Sequence, residues 1–390
     1  MRGRAERLEY ETTKTLLFGS DETWAAMWAL GTRGASSATG QNLTVGIKAS
    51  TREPTVFFFI NKPKQLLSWS LRSRLSLAFL LSLAMMTSCA NSPATPQHPE
   101  GEPQQPVTTP LTPGKPPLFG AYTYGGVWGG MEPVYALETL VGQKLSIVHW
   151  YMSFDHAWDA KLFETASEGG RLPMIAWQPH RQSLDDIING VYDTYLQSWA
   201  QGAKSFGGPI YVRPFPEMNG NWTPWHGDPA KLVTAWRHVV NVFRAEGASN
   251  VKWVWSPNIT DEPRVDTNKF ELYYPGTDYV DILALDGYNW GTTRPLTAWK
   301  SYEEIFATPY ARVTALGPQP VWIAEVASTE QGGDKAQWIS EMFASRAFPR
   351  IEAVVWFDEN KETDWRIASS DKSLVAFQTG LVNSLQVASE

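Results

Sequence analysis

The sequence predicts an α/β fold, a (β/α)8 TIM barrel, over residues 118–390. Short apolar runs recur at 118–124, 145–151, 172–177, 210–215, 251–256, 279–285, 320–324 and 353–356. Their starts lie 27 to 41 residues apart, and most intervals hold a helix-patterned segment, at 134–141, 192–205, 229–245, 298–315 and 335–345. The runs are mostly continuous rather than alternating, as expected of parallel strands covered on both faces. Eight such units over 273 residues match a barrel, which typically takes about 250. An open doubly wound sheet is the alternative; no Gly-x-Gly-x-x-Gly follows the first run to cradle a phosphate.

The chain ahead of the barrel divides in three. Within residues 71–89, Arg72 and Arg74 precede a twelve-residue apolar stretch, 75–86, and Thr87-Ser88-Cys89 follow it. A basic start, an apolar middle and a small-residue end are the parts of a signal peptide. The stretch is shorter than the roughly 20 residues of a membrane-spanning helix. The ending resembles a bacterial lipobox, which implies lipidation of Cys89 and a lipid-anchored envelope or secreted protein; Met86 stands where that motif usually has Leu. Residues 90–117 hold nine prolines in 28 positions and read as an extended tether. Residues 1–70 fit no element and are expected to be disordered or a spurious extension upstream of the true start.

Charge and composition narrow the partners. Residues 1–117 carry 12 Lys+Arg against 8 Asp+Glu, and residues 118–390 carry 21 against 32. An acidic body argues against a nucleic-acid partner, which needs a basic face. One cysteine excludes an intrachain disulfide, and the six histidines show no metal-binding spacing, so neither metal nor other cofactor is expected. A monomer is expected, touching membrane only through Cys89. Tryptophan is the compositional outlier, with 16 of 19 after residue 117.

Two glutamates end apolar runs on different repeats. Glu217 follows the fourth, in Arg213-Pro-Phe-Pro-Glu217-Met-Asn219-Gly-Asn-Trp222-Thr-Pro-Trp225, and Glu325 follows the seventh, in Val321-Trp-Ile-Ala-Glu325. A barrel carries its chemistry at the carboxyl ends of its strands, so both acids should share one mouth. Paired carboxylates flanked by indoles suit cleavage of a glycosidic bond: one acid donates a proton, the other attacks the anomeric carbon, and flat rings stack on sugars. Arg213 is expected to hold Glu325 ionised, and Tyr288 to orient it. Trp222, Trp225, Trp255, Trp290 and Trp356 are candidate sugar platforms, with Asn219 and His149 as candidate substrate contacts.

The Arg213–Trp225 segment is similar to the acid/base motif of glycoside hydrolase family 26. Asp193-x-Tyr195, Trp199-Ala200, Ala235-Trp236-Arg237-His238, Val254-Trp255-Ser256-Pro257-Asn258, Asp286-Gly287-Tyr288 and Ile323-Ala324-Glu325 extend the resemblance over residues 119–365. The resemblance implies a clan-A barrel that retains anomeric configuration, with Glu217 as acid/base and Glu325 as nucleophile. It implies an endo-β-glycosidase acting on β-1,4-mannan, with mixed-linkage β-1,3-1,4-glucan the alternative. Retention would set the carboxyl groups about 5–5.5 Å apart. Two positions depart from the mannanase pattern: Pro216 stands where His usually precedes the acid/base, and Trp177-Gln178 where Trp-His usually ends the third strand. From another class, a carbohydrate-binding barrel without catalysis remains open, as does a membrane-anchored transglycosylase.

Overall fold

The computed structural model describes residues 116–386, together with two three-residue strands, Gly46–Lys48 and Thr55–Phe57, that pair antiparallel. The expected signal segment, Cys89 and all but the last two residues of the tether lie outside the described residues. Eight parallel strands close into a barrel: β1 (Leu118–Thr123), β2 (Ile147–Ser153), β3 (Leu172–Gln178), β4 (Ile210–Pro214), β5 (Val251–Trp255), β6 (Ile282–Asn289), β7 (Val321–Ser328) and β8 (Ile351–Asp358). Each pairs with its sequence neighbours, and β8 closes the ring onto β1.

Helices α1 (Glu132–Val141), α2 (Ala160–Ser167), α3 (Leu184–Ile188), α4 (Asp193–Phe206), α5 (Pro229–Glu246), α6 (Tyr302–Thr314), α7 (Lys335–Ala344) and α8 (Asp371–Gln386) fill the connections and follow the last strand. Their ends are legible chemistry. Asp228 caps α5 by accepting from the Lys231 amide, Pro229 opens it, and Gly247 stops it in the left-handed region at φ 78°. Leu232, Ala235, Trp236, Val239, Val240 and Phe243 recur at helical spacing and form its buried face. Ser301 and Glu304 close a capping box on α6, so that helix starts at Tyr302 rather than near the expected 298. Between β5 and β6 stand only three short 3-10 turns, because Pro263, Pro275 and Gly276 interrupt any longer helix.

Alternation along the strands sorts two cores. Inside the barrel, Ile147, Met174, Val254, Ile282, Ala284, Trp322, Ala324, Ala353 and Val355 make the lower packed layers. Gly120 belongs there because a Cβ would sit 2.5 Å from that of Ile147. The opposite faces, including Trp150, Trp177, Trp253, Trp255 and Trp356, pack outward with the larger core beneath the helices.

One irregularity matters for the site. Along β6 and β7, Ala284 pairs with Trp322 and Leu285 with Ile323, but Asp286 pairs with Glu325. Ala324 is therefore an extra residue, and β8 shows the same step, from Val354–Ile323 to Trp356–Val326. A one-residue slip moves a side chain to the other face of a sheet. Without it Ala324 would lie beside Asp286 and Glu325 would face the helices. The sequence placed Glu325 just after its strand; it lies inside β7, which continues to Ser328.

Candidate active site

At the carboxyl end of the barrel, Glu325 is gripped by three donors from three other strands. Tyr151 of β2 donates to its Oε1 at 2.8 Å, and Arg213 of β4 donates to the same oxygen at 2.9 Å. Tyr288 of β6 donates to its Oε2 at 2.5 Å. Burial alone would raise this carboxyl, but the Arg213 charge and the tyrosine hydroxyls outweigh it and hold it below the usual carboxylate range.

Arg213 is fully buried and serves two acids, its second arm reaching Asp286 Oδ2 at 2.7 Å. Ser256 also donates to that oxygen, at 2.5 Å. One guanidinium thus stands against two buried carboxylates. Burial pushes the Asp286 carboxyl well up, against the pull of Arg213. His149 lies 3.2 Å from Arg213; burial and that positive neighbour push its imidazole down to about 3, leaving it neutral.

Glu217 approaches from just beyond β4, with no cation in contact among the described residues. Asn258 donates to its Oε1 at 2.6 Å and Trp222 to its Oε2 at 2.7 Å. Burial, followed by the charge of Glu325, raises its carboxyl above the ordinary value despite those donors. The two acids are thus biased toward opposite protonation states. The backbone that presents Glu217 is strained: Phe215 and Glu217 hold φ of 52° and 53°, a region side chains other than glycine rarely occupy. The surroundings fix it there. The Phe215 amide donates to Trp177 O, the Glu217 amide to Ser256 O at 2.9 Å, and the Trp225 indole to Pro216 O at 2.9 Å.

Asn219 ties this turn to the segment after β5. Its amide nitrogen donates to Asn258 O, Thr260 O and Asp261 Oδ1, and its amide oxygen accepts from the Asn258 amide. Arg312 of α6 steadies Asp261 from outside, at 2.8 Å. The residue that donates to Glu217 is therefore held in a hydrogen-bonded frame.

These placements correct several expected substrate contacts. Asn219 is fully buried with its side-chain amide spent on the frame. Trp225 is buried, donating to the turn that carries Glu217. Trp255 and Trp356 lie on the outer face of their strands, fully buried, donating to Tyr273 O and Trp365 O. His149 is buried beneath Arg213. Trp290 is partly buried, and the Arg294 guanidinium covers its ring, 3.2 Å from the centroid. Of the five indoles only Trp222 is both exposed, at 43 %, and bonded to a candidate acid. Sequence reasoning missed Tyr151 and Asn258 and gave Asp286 no role. A signal existed for Tyr151: it shares strand parity with Ile147 and His149, the inward face of β2.

The comparisons agree with this architecture. The catalytic domain of a Bacillus sp. JAMB-750 endo-β-1,4-mannanase superposes with a TM-score of 0.52 at 18% identity, over 70% of this chain and 87% of that one. A modular endo-β-1,4-mannanase from Cellulomonas fimi gives 0.54 at 17% identity, over 69% and 71%. At these identities the likeness concerns the fold. In sequence, the chain is 38% identical over 282 residues to Endoglucanase H of Acetivibrio thermocellus, covering 67% of this chain and 31% of that protein. It is 33% identical over 90 residues to mannan endo-1,4-beta-mannosidase A and B of Caldalkalibacillus mannanilyticus, covering 20% and 16%. The chain thus spans about a third or less of these two relatives. Residues 149–363 match the family model described as glycosyl hydrolase family 26, and with the closed barrel and its paired acids already in view, the chain belongs to that family.

Proposed function

We propose that residues 118–390 form a retaining endo-β-glycosidase in which Glu325 is the nucleophile and Glu217 the acid/base. The observation that carries the assignment is the asymmetry of the two acids: Glu325 receives three donors including a buried guanidinium, while Glu217 is desolvated with no cation in contact among the described residues. In the first displacement a lone pair of Glu325 Oε2, the oxygen with a single donor, attacks the anomeric carbon. The glycosidic C–O bond breaks, and Glu217 delivers its proton to the departing oxygen. In the second, Glu217, now a carboxylate, takes a proton from water; the water oxygen bonds to the anomeric carbon, and the ester to Glu325 breaks. Two inversions give net retention. Arg213, Tyr151 and Tyr288 stabilise the charge that returns to Glu325 in the second step.

For the substrate, β-1,4-mannan is supported by sequence relatives whose names specify mannan. Mixed-linkage β-1,3-1,4-glucan is the second reading. A specific observation favours it: the match to Endoglucanase H is longer and more identical than the match to the Caldalkalibacillus mannosidase. Pro216 and Gln178 also depart from the mannanase pattern. Incubating the protein with mannan, barley-type β-glucan and xylan, then sizing the products, tests both. Release of mid-length oligosaccharides from one polymer supports endo cleavage and names the sugar; no release from any polymer refutes the hydrolase. The sequence features ahead of the barrel support a surface-anchored enzyme lipidated at Cys89, which mass spectrometry of the membrane fraction tests.

A further inference from the structure

One exposed indole at the mouth has no part in the proposed chemistry. Trp128 lies in the glycine-rich turn after β1, 45% exposed, with Tyr124 exposed beside it. Its anchoring is specific. β1 and β2 pair only as far as Tyr122 and His149, which leaves the Tyr151 carbonyl beyond the end of their ladder. The Trp128 indole N–H donates to that carbonyl at 3.1 Å, so the ring fills the gap between the two strands at the rim. His156 backs it, ring centroids 4.6 Å apart and planes tilted by 38°. The main chain of His156 is itself pinned, its carbonyl accepting from Tyr195 and from the Trp199 indole, both at 2.9 Å. Trp128 is therefore a half-covered ring on a fixed mount.

Its position identifies the side of the cleft. Trp222 donates to Glu217, the acid that protonates the departing sugar, so Trp222 stands on the leaving-group side. Trp128 binds the backbone of Tyr151, whose hydroxyl holds Glu325, the group that keeps the retained sugar. Each acid thus has one half-exposed indole within one residue of it, on separate parts of the rim. We infer that Trp128 is a stacking platform for a pyranose on the non-reducing side of the bond that is cut, beyond the sugar attached to Glu325. The C–H face of a β-1,4-linked hexose is the chemistry such a ring takes. The inference rests on the glycosidase reading and deepens it: platforms on both sides demand a chain that crosses the site, as endo cleavage does.

Two measurements test it. The first is kcat/KM on 4-nitrophenyl β-1,4-oligosaccharides of one to four sugars, in the gluco and manno series, for wild type, Trp128→Ala and Trp128→Phe. The sugars then lie only on the non-reducing side. Wild type should gain with length, and Trp128→Ala should lose about tenfold of that gain, the worth of roughly 55 Å² of apolar face taken from water. Its rate on the shortest cleaved substrate should stay within twofold. Trp128→Phe, which keeps a ring but loses the N–H bond, should retain most of the gain. Equal losses at every length, or none at any, would overturn the inference. The second measurement is retardation in native gels containing mannan or β-glucan, which needs no turnover. Reduced retardation of Trp128→Ala supports the platform even if wild type cleaves nothing, a result that would sink only the hydrolase reading. Retardation equal to wild type would sink the platform itself.

Discussion

Replacing Tyr288 by Phe removes the single donor from Glu325 Oε2 and leaves Oε1 with both of its own. A hydrogen bond to a charged group contributes about 1.5–3 kcal/mol net. The second displacement regenerates the Glu325 carboxylate. If about half its charge has returned at the transition state, about half that energy is lost there, roughly 0.8–1.5 kcal/mol, and the step slows about 4- to 13-fold. With an activated aryl glycoside, breakdown of the glycosyl-enzyme limits turnover, so kcat should fall by that factor and KM should fall with it. The same donor favours the ionised carboxylate, so the acid limb of kcat/KM should move to higher pH. Tyr151→Phe should do less on both counts, because Arg213 still holds Oε1. Steady-state kinetics and a burst-phase measurement read all of this. An unchanged kcat together with an unmoved acid limb in Tyr288→Phe would rule out Tyr288 as a stabiliser of the Glu325 carboxylate.

Other consequences follow from the frame and the acids. Asn219→Ala should lower stability by about 2–4 kcal/mol, since the Asn258 amide and several buried acceptors lose their partner. Thermal denaturation should show that loss, and slow hydrolysis of unactivated polymer should exceed any loss on activated aryl substrates. Trp255→Ala should cost about 3–5 kcal/mol through the cavity beneath the 3-10 turns, with KM little changed in the folded fraction. For pH, the proposed double displacement needs Glu325 ionised and Glu217 protonated. The depressed Glu325 carboxyl sets the limb lost as pH falls, and the raised Glu217 carboxyl sets the limb lost as pH rises. Glu217→Gln should abolish the alkaline limb, nearly abolish cleavage of polymer, and spare formation of the glycosyl-enzyme from activated aryl substrates.

The barrel was legible because parallel strands buried on both faces leave long apolar runs, and because Asp228, Pro229 and Gly247 punctuate a helix openly. The two acids were legible because each ends such a run. The direction of Glu325 was not. It depends on the extra residue Ala324, and a bulge leaves no mark in a run of small and apolar residues. Tryptophan misled for a different reason. Trp255 and Trp356 stand near the mouth in sequence, yet strand parity sends them outward, as the inward facing of Val254 and Val355 implies. The frame around Asn219 was hidden because its partners arrive from the segment after β5, joined to it only by the fold.

A slow-turnover 2-deoxy-2-fluoro β-glycoside with an activated leaving group, followed by proteolysis and mass spectrometry, tests the assignment most directly. The Glu325 assignment requires one sugar per chain, covalently attached to that residue, with Glu217 unlabelled. Label on any other residue, or hydrolysis of the natural substrate with inversion at the anomeric carbon, would contradict it.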